Sequence, residues 1–300
     1  MKKENLLKDI TFIQSKLSCP VCDGDLDFSS SCCKFLSCGL NFQFKEGTYF
    51  FGNVYSDIKP EIIKYNLTDK AYWTPWRKAN FDFLKSILDF VPSKSEIIDV
   101  GAGVQHFSEL TKNFSTVALD FYPYTNIDVC LDFTKWLPFK KNTFDIAILS
   151  NVLEHIADPN ALLSNLSKVL RPGGLIIAMV PFLISIHQDP YDFYRYTEFC
   201  LIELLNKNSF KMERLVPWGN PLTVAHGFIY SAQINYQDHF ARTKSIFSVA
   251  NLLMFKLFKK FIYCWKKWIE FSTKCNNMDS NEKFIGKSPF GYMFCAKKNV

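Results

Sequence analysis

The sequence predicts an α/β chain built on a mostly parallel sheet with helices on both faces. Three observations predict it. From Glu96 onward, short apolar strands alternate with amphipathic helices. Several of the strands end in glycine or an acid, which marks a strand running into a turn. The 300 residues are 48% hydrophobic and 21% charged, enough to bury a large core and too apolar for a disordered chain. Strand–helix alternation demands crossover connections, and these place helices over both faces of a parallel sheet.

Residues 56–95 read as helical. Ala79, Phe83, Leu84, Ile87 and Leu88 recur at helical spacing, and the pattern stops before Pro92. Glu96–Val100 (EIIDV), Thr116–Asp120 (TVALD) and Phe144–Ser150 (FDIAILS) read as strands. Pro159–Leu170 sets Leu162, Leu163, Leu166, Val169 and Leu170 on one helical face and halts at Arg171-Pro172-Gly173-Gly174. Leu175–Val180 (LIIAMV) is a further buried strand. Thr197–Leu205 reads as a helix, and Phe210–Val216 and Phe290–Ala296 as strands. Residues 220–285 fit no regular unit and are taken as a helical insertion, or cap, before the last strand.

The first 55 residues differ in kind. Five of the ten cysteines lie between Cys19 and Cys38, among short β-like runs and glycines. The opening MKKENLLKDI has no apolar core and no small-residue cleavage site, so a cytoplasmic, reducing compartment is expected. Clustered cysteines then read as metal ligands before disulfides. The expected organisation is a small β ribbon over 1–55 and the α/β domain over 56–300.

Charge is unevenly spread. The net charge is +6, yet from Ala241 onward 12 basic residues face 3 acidic ones, leaving 23 against 26 before it. Within residues 246–271, apolar and aromatic residues mix with Lys256, Lys259, Lys260, Lys266 and Lys267. This stretch is either an interfacial helix that makes peripheral membrane contact or a cap or dimer face.

The chemistry begins at Asp99-Val100-Gly101-Ala102-Gly103, at a strand's carboxyl end. Ligands of open α/β sheets bind there, and glycine lets the backbone approach them. A dinucleotide fingerprint would need a third glycine at 106, where His106 stands, so a nicotinamide dehydrogenase is disfavoured. Asp120 ends the next strand, about 20 residues on, where an acid accepts both hydroxyls of a ribose.

These residues, with Asp132, Phe144–His155 (FDIAILSNVLEH) and Leu170–Gly174 (LRPGG), resemble the ordered motifs of class I S-adenosylmethionine-dependent methyltransferases, in particular the ubiquinone-type group. The resemblance covers roughly Glu96–Phe182. It implies a Rossmann-like seven-stranded sheet with the last strand antiparallel, and S-adenosyl-L-methionine as cofactor. It also implies roles. Gly101 and Gly103 pass under the methionine part, with Asp99 near its amino group. Asp120 holds the ribose, and Asp132 and Phe133 flank the adenine. Asn151 and Leu153 floor the sulfonium, and Ala102 and Phe121 complete the cofactor set. Gln105 stands where the family usually has another glycine.

Pro181–Tyr196 (PFLISIHQDPYDFYRY) follows a strand's carboxyl end, where an acceptor would arrive. Either His187 or Asp192 is a general base and Arg195 an anion clamp, or Asp192 and Arg195 pair structurally. His155 is either a base or a packing group. Cys19-x-x-Cys22 followed by Cys38 resembles a zinc ribbon of the kind that precedes some methyltransferase domains. A regular second knuckle would need a cysteine at 35, where Phe35 stands, so the fourth ligand falls to Cys33 or to its neighbour Cys32. The chain is thus expected to methylate a small molecule or a glycan- or lipid-linked acceptor. An rRNA or tRNA methyltransferase, or an inactive module that keeps the fold, are the rivals. The slightly acidic body disfavours nucleic acid as a partner. The acceptor itself is not legible in the sequence.

Overall fold

The computed structural model describes residues 10–35, 38–52, 70, 73–105, 107–243, 250, 253–254, 256–258, 260–265, 267 and 288–299, with side chains of 233–243 excepted. His106 and most of residues 53–72 lie outside the described residues, as does much of 244–287.

The chain runs α1 (Ile10–Lys16), β1 (Leu26–Asp27), β2 (Cys32–Cys33), β3 (Phe42–Lys45), β4 (Thr48–Phe51), α2 (Pro75–Leu88), β5 (Glu96–Val100), α3 (Ser108–Thr111), β6 (Ser115–Asp120) and β7 (Val129–Cys130). It continues through β8 (Phe144–Ser150), α4 (Pro159–Val169), β9 (Leu170–Pro181), α5 (Glu198–Lys207), β10 (Phe210–Trp218), α6 (Pro221–Thr243) and β11 (Gly291–Lys298). One nine-stranded sheet has the order β10-β11-β9-β8-β5-β6-β7-β4-β3. Its first seven members are the expected mostly parallel sheet, with β11 antiparallel to both neighbours.

Period-two alternation decides which helices cover which face. Ile97, Ile146, Ile148, Ile177 and Met179 point one way and pack with Phe83, Leu84 and Leu88 of α2. Their neighbours Ile98, Val100, Ala147, Leu149 and Ile176 point the other way, into a cluster with Leu162, Leu166 and Val169 of α4 and Leu201 and Leu205 of α5. Helix α2 starts where Thr74 accepts the Arg77 N–H at 3.2 Å and Pro75 takes the first helical position.

The Arg171–Gly174 stop works differently from expectation. Helix α4 gives way at once to β9, which takes up Arg171-Pro172-Gly173-Gly174 as an irregularity in its pairing with β8. Gly173 has φ +76°, and a Cβ on Gly174 would stand 2.9 Å from the Arg171 carbonyl oxygen. Arg171 then bridges Glu96 and Asp145, each at 2.7 Å, and so ties the entry ends of β5, β8 and β9.

The N-terminal residues do not stand apart from the larger domain. The β3–β4 hairpin turns through Glu46 and Gly47, both at positive φ. Strand β4 then pairs in parallel with β7, Tyr49 opposite Val129 and Phe50 opposite Cys130, and adds two strands to the sheet. Phe42 stacks on Phe51 at 5.2 Å, and Phe51 meets Trp136 of the main domain edge-on at 6.0 Å. Only the β1–β2 ribbon forms a sheet of its own. Strands β3 and β4 of the first 55 residues are thus continuous with the larger sheet.

Among the described residues, no helix is long and apolar enough to cross a membrane. The described residues of 250–267 are mostly helical. They bury Ile262 and expose Leu253, Met254, Leu257, Phe258, Phe261 and Trp265.

Because Phe51 belongs to the common core, Phe51→Ala should cost about 3–5 kcal/mol. Urea unfolding should show one cooperative transition at a lowered midpoint. A separate early transition for the N-terminal residues would contradict the shared core.

Candidate active site

The site lies at the carboxyl ends of β5, β6, β8 and β9. The chain leaves β5 through Gly101, φ +66°, whose missing Cβ would stand 2.7 Å from Cγ2 of Val152. Gly103, φ +54°, has nothing within 4 Å of that position, so its bare backbone borders open space. Gln105 also adopts a left-handed conformation, φ +54°, and its amide donates to the Asn126 carbonyl at 2.5 Å. The family's glycine preference at this position thus has a local cause: glycine alone adopts that backbone without cost, and here a side-chain bond offsets it.

Asp120 holds this loop in place. Its carboxylate accepts the Gly103 N–H at 2.9 Å and the Tyr122 N–H at 3.0 Å. Burial raises its pKa up to about 6, partly offset by these N–H bonds. Phe121 and Phe133 lie beside it with ring centroids 4.4 Å apart. Asn151 leaves β8 at φ +56°, a conformation asparagine tolerates, and accepts the indole N–H of Trp76 at 2.8 Å.

One cavity of about 970 Å³ joins these groups. This is the upper end of the range for small-molecule sites. Gly101, Ala102, Gly103, Asp120, Phe121 and Phe133 line one end. Asn151, His155, His187, Tyr191, His226 of α6 and Tyr263 line the cavity as well. Of the expected cofactor residues, three stand off the wall. The Asp132 carboxylate accepts the Thr134 N–H and hydroxyl and pairs with Lys135 at 3.1 Å. Leu153 is a core residue, 1% exposed, and Asp99 sits behind the glycine loop within β5.

The structure also bears on the two readings of Asp192 and Arg195. Both carboxylate oxygens of Asp192 take the Arg195 guanidinium, at 2.6 and 2.7 Å, and one also accepts the His187 backbone N–H at 2.8 Å. The Asp192 side chain is 1% exposed, and neither residue borders the cavity. Arg195 holds the Asp192 carboxyl far below the usual carboxylate range. The pairing within the 181–196 loop has the geometry of the structural alternative.

Several wall residues, and the buried Glu154 beside the wall residue His155, are not singled out by the sequence. Trp76, Arg77 and Asn80 come from α2, which was read only for its apolar spacing. Asn80 is 1% exposed, and neither its amide oxygen nor its nitrogen has a partner among the described residues. Glu154 is wholly buried, also with no partner for either carboxylate oxygen. A buried polar group in an enzyme cavity that lacks a partner marks where a ligand would supply one.

The cysteines converge 3.3 Å apart for Cys19 and Cys38 and 3.5 Å for Cys22 and Cys33. All four sulfurs lie within 4.8 Å of one another. Cys32 points elsewhere, to the Ser30 hydroxyl at 3.0 Å. Adjacent residues of a strand face opposite ways, so only one of Cys32 and Cys33 could join the quartet.

Residues 72–218 match the methyltransferase domain family. An uncharacterised protein of Methanocaldococcus jannaschii is 34% identical over 91 residues, which are 28% of this chain and 40% of that protein. A demethylmenaquinone methyltransferase of Corynebacterium kroppenstedtii is 32% identical over 124 residues, 37% of this chain and 52% of that one. The chain thus spans about half or less of these relatives. A solved SAM dependent methyltransferase from Archaeoglobus fulgidus superposes with a TM-score of 0.45 at 14% identity, over 74% of this chain and 94% of that one. Residues 72–218 are thus similar to a methyltransferase domain, and they are carried on a Rossmann-like sheet.

Breaking the Asp192–Arg195 pair should be costly where breaking Asp132–Lys135 is not. Asp192→Ala should lower unfolding stability by about 3 kcal/mol. Asp132→Ala, whose partner is 70% exposed, should stay within about 1 kcal/mol. Chemical denaturation of the two variants checks the contrast.

Proposed function

We propose that this chain binds S-adenosylmethionine and transfers its methyl group to a small molecule or to a glycan- or lipid-linked acceptor. The observation that carries the reading is the single cavity. It has a glycine-and-acid end suited to an adenosine and a histidine-lined end with room for an acceptor. When bound, S-adenosylmethionine supplies an electrophilic methyl on a sulfonium.

The residues fit that group. Asp120 keeps carboxylate lone pairs beyond those taken by Gly103 and Tyr122, and these accept ribose hydroxyls. Phe121 and Phe133 offer an apolar slot for adenine. Gly101 and Gly103 let the methionine portion lie on bare backbone. Asn80 and Arg77 reach the cavity from α2 and suit the methionine carboxylate, which would accept from the Asn80 amide N–H. The chain's contribution to rate is then positioning and exclusion of water, since an aligned nucleophile needs little further help. Tyr191, His226, Tyr230 and Tyr263 enclose the acceptor end.

We further assign zinc to Cys19, Cys22, Cys33 and Cys38. Four converging sulfurs make a donor set that suits a tetrahedral structural ion. The outward apolar row from Leu253 to Trp265 has five lysines and no acid across residues 250–267. That charge matches an anionic lipid surface and supports peripheral membrane contact and a lipid-linked acceptor. The same stretch lends Tyr263 to the cavity, which supports this reading.

Calorimetric titration with S-adenosylhomocysteine tests the reading. Wild type should bind, and Asp120→Ala should bind on the order of 10–100-fold more weakly, as expected when hydrogen bonds to a charged acceptor are lost. The free carboxyl titrates near 6, and the ribose needs it ionised, so wild-type affinity should fall as pH drops through that value. Asp120→Asn should bind weakly at every pH, without that slope. Folded wild-type protein that binds neither this ligand nor S-adenosylmethionine would be an inactive module.

A further inference from the structure

We infer that Glu154, His155 and His187 form a divalent-cation site at the edge of the cavity, which the two histidines border, with an open position facing the acceptor. The inference rests on the methyltransferase reading for what the ion would serve, but its geometry stands alone. One ligand atom from each residue lies within 4.8 Å of the others. The two imidazoles meet edge to face at 4.8 Å, and Nε2 of His155 lies 3.7 Å from Oε1 of Glu154.

The second observation is the state of these atoms. Nδ1 of His155 is 2.6 Å from the Tyr191 carbonyl oxygen. A carbonyl only accepts, so Nδ1 carries the hydrogen and Nε2 is left with its lone pair. That Nε2 is buried and has no hydrogen-bond partner among the described residues, and neither has either oxygen of Glu154. Nδ1 of His187 lies 3.2 Å from Asp192 Oδ2, which Arg195 keeps ionised. The same Nδ1 lies 3.5 Å from Nη2 of Arg195, so the pair fixes the ring of His187 from two sides where it borders the cavity. Metal-binding histidines are held in this way, with the second nitrogen donating to a carbonyl or carboxylate.

A buried carboxylate without a partner is costly unless a proton or a cation neutralises it. Arg195 cannot serve, because Asp192 holds it. Two imidazoles and one carboxylate suit a first-row ion such as zinc, cobalt or iron(II), leaving positions for water or an acceptor oxygen. The Asp192–Arg195 pair then has a purpose in the site, since it orients His187. The acceptor class that follows is one presenting a hydroxyl oxygen to the ion.

Cobalt titration of the full chain, after zinc has filled the cysteine quartet, tests the site. Zinc outranks cobalt in affinity for a given site, so cobalt should leave the quartet alone. The expected result is one cobalt per chain, read from visible d–d absorption without the sulfur-to-metal charge-transfer band that entry into the quartet would add. His187→Ala and Glu154→Gln should each weaken binding by at least about 10-fold. His187 is partly exposed and its variant is the safer to fold; S-adenosylhomocysteine binding reports folding in both. No cobalt uptake by wild type that still binds S-adenosylhomocysteine would overturn the metal site and leave the methyltransferase reading standing. Equal uptake by wild type and both variants would overturn it too. Cobalt uptake without S-adenosylhomocysteine binding would instead sink the methyltransferase reading alone.

Discussion

The carboxylate of Asp120 is the constraint on which the site depends. It ends β6, is nearly buried, and takes backbone N–H groups from the loop after β5 and from its own following turn. Those bonds fix Gly103 against the sheet and leave the glycine backbone facing the cavity. The register of β5 beside β6 and β8 puts the three strand ends level, so Gly101, Asp120 and Asn151 meet at one mouth. Remove the acid, and the loop loses its anchor as well as the cavity its polar end.

Around that anchor the chain uses strained or unsatisfied groups, and they cluster. Gly101, Gly103, Gln105 and Asn151 all have positive φ within the same few strand ends. Asn80, Glu154 and His155 carry the unpartnered buried polar atoms of the described residues. A folded core satisfies such atoms almost everywhere, and here Asn80 and His155 border the cavity while Glu154 is buried beside His155.

The sheet was legible because buried strands write their burial as apolar runs and crossovers as alternation. EIIDV, TVALD, FDIAILS and LIIAMV all fall within strands of the structure, and the seven-stranded portion follows. The glycine loop and Asp120 were legible because their backbone and charge requirements are local. What escaped was set by tertiary contacts. Nothing in Thr48–Phe51 announces that it pairs with β7, a strand of two residues. Asn80 and Arg77 looked like ordinary helix residues until α2 was laid beside the cavity. Glu154 was passed over for its neighbour His155, since only the fold shows that the carboxylate is buried without a partner. The choice between Cys32 and Cys33 turned on which face of β2 meets the other sulfurs, and the structure brings Cys33 to them.

The most direct measurement is a crystal structure of the full chain with S-adenosylhomocysteine. The account predicts ribose hydroxyls on Asp120, adenine beside Phe121 and Phe133, and the amino-acid end toward Asn80 and Arg77. The thioether should face the wall that carries His155 and His187. A ligand seated away from Asp120, or a thioether turned from that wall, would contradict it.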